Sequence, residues 1–229
     1  MRLKTTFALL HAHFWRRVCG CSRSFFHKSQ LPWCDSRPLL HFYTLIFHHL
    51  TPDLKELLNP VPGSAYDSVE GVGGCLQGTR QDVIEWIIEW IDGHNDRPIC
   101  WLYGAAGFGK SAISRSIAGL CEYANRLGAS FYFWRGNGRR SVIANFISTL
   151  AYHLAFSVPE TRPYIETILL RDPMIIHQLH KHQLQNLIVN PILLVTQSLL
   201  PMVIVVDGIY KCNNKQMMAD LISVIAQAF

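Results

Sequence analysis

The stretch RPICWLYGAAGFGKSA, residues 97–112, sets the strongest limit on what this chain can fold into. Ile99, Trp101 and Tyr103 lie in a short run typical of a buried strand, and a glycine-rich turn ending in Gly-Lys-Ser follows at once. The next residues, KSAISRSIAGLCEYANRLG, predict a helix that extends to about Gly128. A strand that leads through a tight loop into a helix is a unit of α/β folds.

The turn fits the pattern G-x-x-x-x-G-K-[ST] at every fixed position. Such a loop wraps a phosphate with successive backbone N–H groups, and glycine permits the backbone angles that this requires. We expect Lys110 to contact the β- and γ-phosphates and Ser111 to give an oxygen to Mg²⁺. The predicted nucleotide-binding residues of the loop are Gly104, Ala105, Ala106, Gly107, Phe108, Gly109, Lys110, Ser111 and Ala112. A chance match is the alternative, and the flanking strand and helix favour the phosphate loop.

A second candidate site residue is Asp207, which follows the apolar run MVIVV. Ligands of open α/β sheets bind at the carboxyl ends of the strands, so an acid there can hold Mg²⁺ together with Ser111. The alternative is a strand that ends in an ordinary Asp-Gly turn. With a phosphate loop present, we predict the magnesium role for Asp207.

The rest of the chain predicts strands alternating with helices. Further strands are predicted over 129–134 and 201–207, and helices over 141–157, over two stretches between Thr161 and Pro191, and over 215–228. Apolar strands among helices predict a parallel P-loop NTPase-type sheet with helices on both faces. We divide the chain into an N-terminal segment with no assigned secondary structure (1–58), a linker with a leading helix (59–95) and a partial P-loop core (96–229).

Local signals predict how two of the helices begin. Thr79 and Asp82 have capping-box spacing before VIEWIIEWI, and Ser141 is expected to cap the helix over 141–157. Trp86 and Trp90, four residues apart, are expected to form an apolar stripe that packs on the sheet.

Charge and composition limit the partners. The net charge is +5, but residues 1–50 hold seven basic residues and one acid, so the rest of the chain is nearly neutral. We therefore expect no nucleic-acid partner. The apolar run before Asp207 is too short and too polar for a membrane span. The seven cysteines are odd in number and scattered, which predicts reduced thiols in a cytoplasmic protein, with mitochondrial targeting by the basic N-terminus as the alternative.

An ordered series of segments resembles a known family. CLQGTRQDVIEWIIEWI, RPICWLYGAAGFGKSAISRSIA, LGASFYFWRGNGRRS, QNLIVNPI and MVIVVDGIYKC, within residues 59–229, look like the NACHT-type NTPase core of the STAND class. The nearest form is that of fungal proteins with a nephrocystin-3-like N-terminal domain. The resemblance implies a switch that binds ATP or GTP with Mg²⁺, self-associates, and works with effector and repeat domains. It also implies that the phosphate loop and Asp207 hold the nucleotide.

Two departures from the family pattern shape the expected function. The family usually has Asp-Glu three and four residues after the strand acid, where this chain has Tyr210 and Lys211. Neither side chain is a general base at neutral pH without a large pKa shift, so we expect a nucleotide-holding module with weak or lost hydrolysis. The sequence ends at Phe229, so we also expect a sheet that is incomplete at its C-terminal end.

Three alternatives remain open. An active NTPase would need another acid, such as Asp220 or one from a neighbouring subunit. A small-molecule kinase would need a lid of clustered arginines, and residues 160–200 offer only Arg162 and Arg171. A truncated relative would not fold alone.

Two further groups of residues are weighed as sites. His177, His180 and His182 are expected to form a solvated helix face rather than a metal site. Arg139 and Arg140 are expected to be exposed loop cations, with an arginine finger as the alternative.

Overall fold

The computed structural model describes residues 5–12, 53–68, 73–93, 98–136, 138–195 and 202–228. The strands are β1 (Thr5–Ala12), β2 (Ile99–Tyr103), β3 (Leu127–Tyr132) and β4 (Met202–Asp207). The helices are α1 (Leu54–Leu58), α2 (Gln81–Asp92), α3 (Lys110–Tyr123), α4 (Gly138–Ser141), α5 (Ile143–Ser157), α6 (Arg162–Arg171), α7 (His180–Leu184), α8 (Asn190–Val195) and α9 (Lys215–Ala228). A π-helical turn, Gln185–Val189, and short 3-10 turns, including Ile209–Lys211, complete the chain path.

The four strands form one sheet in the order β2-β1-β4-β3. β3 and β4 are parallel, and β1 runs antiparallel to both of its neighbours, β2 and β4. The three predicted strands therefore share one direction, and each lies within two residues of its predicted position. β1 belongs to the segment for which the sequence predicts no secondary structure. Because β1 is antiparallel to its neighbours, the sheet is mixed and not wholly parallel as predicted. The fold still belongs to the α/β class that the sequence predicts.

The register of β1 aligns the ends of its neighbours. Thr5 pairs with Tyr103, the last residue of β2, and Phe7 pairs with Asp207, the last residue of β4. Asp207 also pairs with Tyr132 at the end of β3. The carboxyl ends of β2, β3 and β4 thus meet at one edge of the sheet, which is where α/β sheets bind ligands.

Successive β4 side chains point to two hydrophobic clusters, one on each face of the sheet. Val203 and Val205 pack with residues of α2 and α3, whereas Ile204 and Val206 pack with residues of α5 and α9. This alternation follows from the period of two in a strand. Burial of each such side chain contributes roughly 1.5–3 kcal/mol. Helices therefore cover both faces of the sheet, as predicted.

The two helix caps predicted from the sequence are wrong. α2 begins at Gln81 after Arg80, which adopts a left-handed conformation, and the Thr79 hydroxyl donates to the Leu76 carbonyl at 2.7 Å. α5 begins at Ile143, and the Ser141 hydroxyl donates to the carbonyl of Gly138. In both cases the hydroxyl bonds within the preceding turn, a local alternative that competes with capping.

The apolar face of α2 is only partly as predicted. Ile87 and Ile91 are fully buried, and Trp90 is 8% exposed, so this face packs on α3 and the sheet. Trp86 is 58% exposed, which contradicts its predicted place in a packed tryptophan stripe. The buried face of α2 is therefore formed by Ile87, Ile91 and Trp90.

The chain before α2 is anchored to the sheet and to α5. Leu54 and Leu58 of α1 are buried in the same cluster as α5. The backbone N–H of Tyr132 in β3 donates to the carbonyl of Ser64, and that of Val61 donates to the Thr149 hydroxyl of α5. This segment therefore covers the outer edge of β3.

Four of the cysteines lie within the described ranges. Cys75, Cys100, Cys121 and Cys212 are free thiols, and burial raises the pKa of Cys100 and Cys121 to about 11. The remaining cysteines, which include the Cys-Gly-Cys pair, lie outside the described residues. None of the described helices is long and apolar enough to cross a bilayer.

Candidate functional site

The loop between β2 and α3 contains three glycines with positive φ angles. These angles are +155° at Gly104, +84° at Gly107 and +77° at Gly109. A Cβ added at any of the three would meet nothing within 4 Å. Glycine is therefore needed for the backbone angle rather than for lack of space. Successive positive-φ turns of this kind direct backbone N–H groups into a concave anion-binding shape.

The helix that follows the loop starts next to this concavity. α3 begins at Lys110, and its N-cap is Gly109, which has no side chain to cap the helix. The first N–H groups of a helix carry a partial positive charge and favour an anion. Lys110 adds a full positive charge, and it is buried, at 8% exposure.

The Lys110 ammonium is turned toward the loop. Its Nζ donates to the carbonyl oxygens of Gly104 and Ala105 at 2.9 and 2.6 Å. An ammonium has three donors, so these two bonds hold the charge over the loop. Of the other predicted loop residues, Ala106, Gly107 and Phe108 are exposed, and Ser111 and Ala112 are half-buried.

Ser111 and Asp207 are in direct contact across the site. The Ser111 Oγ donates to the Asp207 Oδ2 at 2.7 Å, and Asp207 is 2% exposed. The Oδ1 atom of Asp207 is buried and has no hydrogen-bond partner within the part of the chain that the structure describes. Burial raises the pKa of Asp207, against the bond from Ser111 and the charges of Lys211 and Lys110.

This donor set suits Mg²⁺. The ion takes hard oxygen ligands, and a carboxylate plus a hydroxyl beside a phosphate is a common arrangement for it. The buried Oδ1 of Asp207 is an acceptor that a cation could satisfy, and a polar atom in such a position needs a partner. The residues present therefore fit the ion that the sequence predicts.

A comparison with protein families bears on the whole region just described. The profile of a family described as Nephrocystin 3, N-terminal, matches residues 78–229. The chain belongs to this nephrocystin 3 N-terminal family. The match covers the elements from α2 to α9, including the loop before α3 and the acid at the end of β4. Searches of curated proteins and of solved structures returned no significant match.

After β4, this member of the nephrocystin 3 N-terminal family makes a tight turn. Gly208 has a φ of +72°, and a Cβ there would lie 2.9 Å from the Phe133 carbonyl oxygen. The turn leads into Ile209–Lys211, where Tyr210 and Lys211 are both half-buried. The Lys211 Nζ lies 5.0 Å from the Trp134 ring centroid and 5.7 Å from that of Tyr210.

The prediction of two exposed loop arginines is wrong for one of them. Arg139 is exposed, and its Nη2 donates to the carbonyl and side-chain oxygens of Asn59. Arg140 is 2% exposed, and its Nε donates to the Tyr132 carbonyl at 3.1 Å while its guanidinium stacks on Trp134. A buried guanidinium can be tolerated because it is hydrogen-bonded and stacked on an aromatic ring.

The other candidates from the sequence are three histidines and Asp220. His177 and His182 are exposed, as predicted, whereas the Nε2 of His180 is buried and burial lowers the pKa of this ring. No group of three His, Cys, Asp or Glu side chains able to hold a metal ion occurs among the described residues. Asp220, the alternative base, accepts a hydrogen bond from Gln216 and lines a cleft between α7 and α9 beside Lys181.

Two neighbours of the site, Trp134 and Arg135, are not among the candidates from the sequence, and Arg140 is considered there only as an exposed cation or an arginine finger. Trp134, Arg135 and Arg140 follow β3, whose carboxyl end lies at the same edge of the sheet as that of β4. The signal that could have found them is the pair of adjacent parallel strands, because residues that follow both strands meet at that edge.

Proposed function

We propose that this domain binds a purine nucleoside triphosphate, ATP or GTP, together with Mg²⁺, and serves as a NACHT-type switch or scaffold with weak or lost hydrolysis. The observation that carries the proposal is the contact between Ser111 and Asp207. It places the hydroxyl of the phosphate loop beside the acid of another strand, which is the arrangement that metal-assisted phosphate binding requires.

In this proposal the loop residues from Gly104 to Ser111 hold the phosphates. Their backbone N–H groups and the start of α3 supply donors and partial positive charge. Lys110 would exchange its bonds to the Gly104 and Ala105 carbonyls for bonds to phosphate oxygens. The ammonium is charged in both cases, but phosphate oxygens carry negative charge and carbonyl oxygens do not, so Coulomb attraction favours the exchange.

Ser111 and Asp207 would hold the metal. Bound Mg²⁺ would supply positive charge that bridges phosphate oxygens and neutralises them. The raised pKa of Asp207 reflects the cost of burying its charge. A divalent cation would offset that cost, because a nearby opposite charge favours the ionised carboxylate.

Weak hydrolysis follows from the turn after β4. Tyr210 and Lys211 occupy the positions where NACHT-type proteins usually have an acidic pair. The Arg135 guanidinium and the Lys211 ammonium both lie over the Tyr210 ring. Burial lowers the pKa of Lys211, but the charge of Asp207 acts in the opposite direction and favours the ammonium. An ammonium and a phenol cannot take a proton from the attacking water as a carboxylate does.

The test is a titration of a fluorescent ATP analogue with the purified protein and Mg²⁺, with phosphate release followed in the same sample. Lys110→Ala should weaken binding by about tenfold or more, the loss of a charged hydrogen-bond donor. Lys181→Ala removes an exposed lysine of α7 and is the matched control. Binding unaffected by Lys110→Ala, or no binding by the folded protein, would overturn the proposal.

The hydrolysis part has its own test. The double variant Tyr210→Asp/Lys211→Glu supplies the two acids that the sequence lacks, and we expect it to release phosphate faster than the wild-type chain. Steady release by the wild type that is lost in Asp220→Asn would instead identify an active NTPase with another base. If the domain is a switch, nucleotide should change the association state of the protein. Light scattering, measured as the protein elutes from a size-exclusion column, would detect this change.

A further inference from the structure

Three cations and two aromatic rings form a cluster beside the proposed magnesium ligand. This cation–aromatic cluster consists of Trp134, Arg135, Arg140, Tyr210 and Lys211. Lys211 and Arg140 lie over the Trp134 ring at 5.0 and 5.8 Å. Arg135 lies 5.6 Å from the Tyr210 ring centroid, and its Nη2 donates to the Tyr210 carbonyl at 3.4 Å. Rings that stack on cations hold them in place without neutralising them.

Lys211 folds back over the turn that follows Asp207. A Cβ built on Gly208, the residue directly after Asp207, would lie 3.2 Å from the Lys211 Cδ and 3.4 Å from its Nζ. The ammonium therefore lies against the backbone that leads out of β4 rather than extending into solvent.

Described groups of both charges act on Lys211. The charged groups that act on the Lys211 ammonium are the Asp207 carboxylate, which stabilises it, and the Arg140 and Arg135 guanidiniums, which oppose it. Burial opposes its charge most strongly of all. Among the described residues, one carboxylate and two guanidiniums thus act on Lys211, and a bound polyanion would relieve the repulsion between these cations.

The consequence concerns the metal. A tethered ammonium beside Asp207 competes with Mg²⁺ for the same negative charge, and it also supplies positive charge near that carboxylate. We propose that Lys211 provides part of the positive charge that Mg²⁺ would otherwise bring, so that the site holds a nucleoside triphosphate with little dependence on divalent cations. This inference rests on the proposed function and specifies how that same site is regulated by metal.

The experiment measures the affinity for the fluorescent ATP analogue in Mg²⁺ and in EDTA, and compares the two values for each variant. Removal of Mg²⁺ should weaken wild-type binding by less than about threefold and Lys211→Met binding by about tenfold or more, within the usual range of coupling between two sites. Lys211→Arg keeps the charge and should behave as the wild type. Lys215→Met removes an exposed lysine four residues on and is the matched control.

The outcomes separate this inference from the proposed function. Wild-type binding that falls about a hundredfold in EDTA, with the same fall in Lys211→Met, overturns the inference and leaves nucleotide binding intact. No binding in either condition overturns both. Thermal melting shows whether Lys211→Met is folded. If it is not, the wild-type affinities in Mg²⁺ and in EDTA decide the question alone.

Discussion

The Ser111 Oγ donates to the Asp207 Oδ2 at 2.7 Å, although the two residues are 96 positions apart in the sequence. Ser111 lies at the start of α3, just after the loop that leaves β2, and β1 lies between β2 and the strand of Asp207, β4. The loop and the strand acid are therefore joined directly by side chains as well as through the sheet. This contact joins the two halves of the candidate site directly.

Removal of the Ser111 hydroxyl should destabilise the fold. Ser111→Ala takes away the side-chain donor to a carboxylate that is 2% exposed, and we expect the free energy of unfolding to fall by about 1–3 kcal/mol. Urea denaturation measures this. Ser223→Ala removes an exposed serine of α9 and should change stability by no more than about 0.5 kcal/mol. Equal effects of the two substitutions would contradict the structural role of Ser111.

Asp207→Asn should make the protein more stable at neutral pH. Burial raises the pKa of Asp207 in the folded state, so the folded protein binds this proton more readily than the unfolded chain does. The stability contributed by the protonated carboxyl is present at low pH and is lost as pH rises through the folded pKa. The difference in the free energy of unfolding between Asp207→Asn and the wild type should therefore be largest near pH 7 and should decrease on acidification.

Urea midpoints of both proteins, measured from neutral to acid pH, test this dependence. A gap that stays constant, or that widens as pH falls, would show that burial does not penalise the Asp207 charge. Asp220→Asn alters an exposed carboxylate of α9, and its effect on stability should stay within about 0.5 kcal/mol.

Two glycine substitutions test whether the backbone conformation, rather than lack of space, requires glycine in the loop. A Cβ at Gly107 or at Gly138 meets nothing within 4 Å, but only Gly107 has a positive φ, +84°. Gly107→Ala should cost about 1–2 kcal/mol of stability and weaken nucleotide binding. Gly138→Ala lies in α4 and should be neutral or stabilising by up to about 1 kcal/mol. Thermal unfolding of both variants decides, and similar losses would contradict the argument.

Adjacent arginines should differ sharply in their effect on stability. Arg140→Met removes a buried, hydrogen-bonded and stacked guanidinium, and we expect a loss of about 1–3 kcal/mol. Arg139→Met removes an exposed side chain bonded to Asn59 and should cost less than about 1 kcal/mol. Chemical denaturation of the two variants is the measurement, and a larger loss for Arg139→Met would refute the assignment.

The three strands that lead to the site could be predicted because each is a short apolar run with a distinct end. Their helices follow from local apolar spacing in the same way. β1 could not be predicted, because its place in the sheet depends on backbone pairing with residues far along the chain. The caps at Thr79 and Ser141 failed for a different reason: a hydroxyl can bond to a nearby carbonyl as readily as to a helix N–H.

Two parts of the candidate site could be proposed from the sequence, because each has a recognisable local pattern. Gly104 to Ser111 carry a motif, and Asp207 follows a strand that points to the same edge of the sheet. The surroundings of Lys211 had no such pattern, since Trp134 and Arg140 reach it from the end of another strand. The burial of Arg140 depends on this tertiary packing, and its neighbour Arg139 has the same local sequence context but stays exposed.

The position of β1 also dictates when the fold can be completed. Phe7 pairs with Asp207, so β1 must wait until residue 207 has been synthesised before its second neighbour, β4, is complete. Pairing across such a separation closes a very long loop, and folds dominated by distant contacts form slowly. β1, one of the two inner strands of the sheet, is therefore paired on both sides only after translation has passed the residues of the proposed metal site.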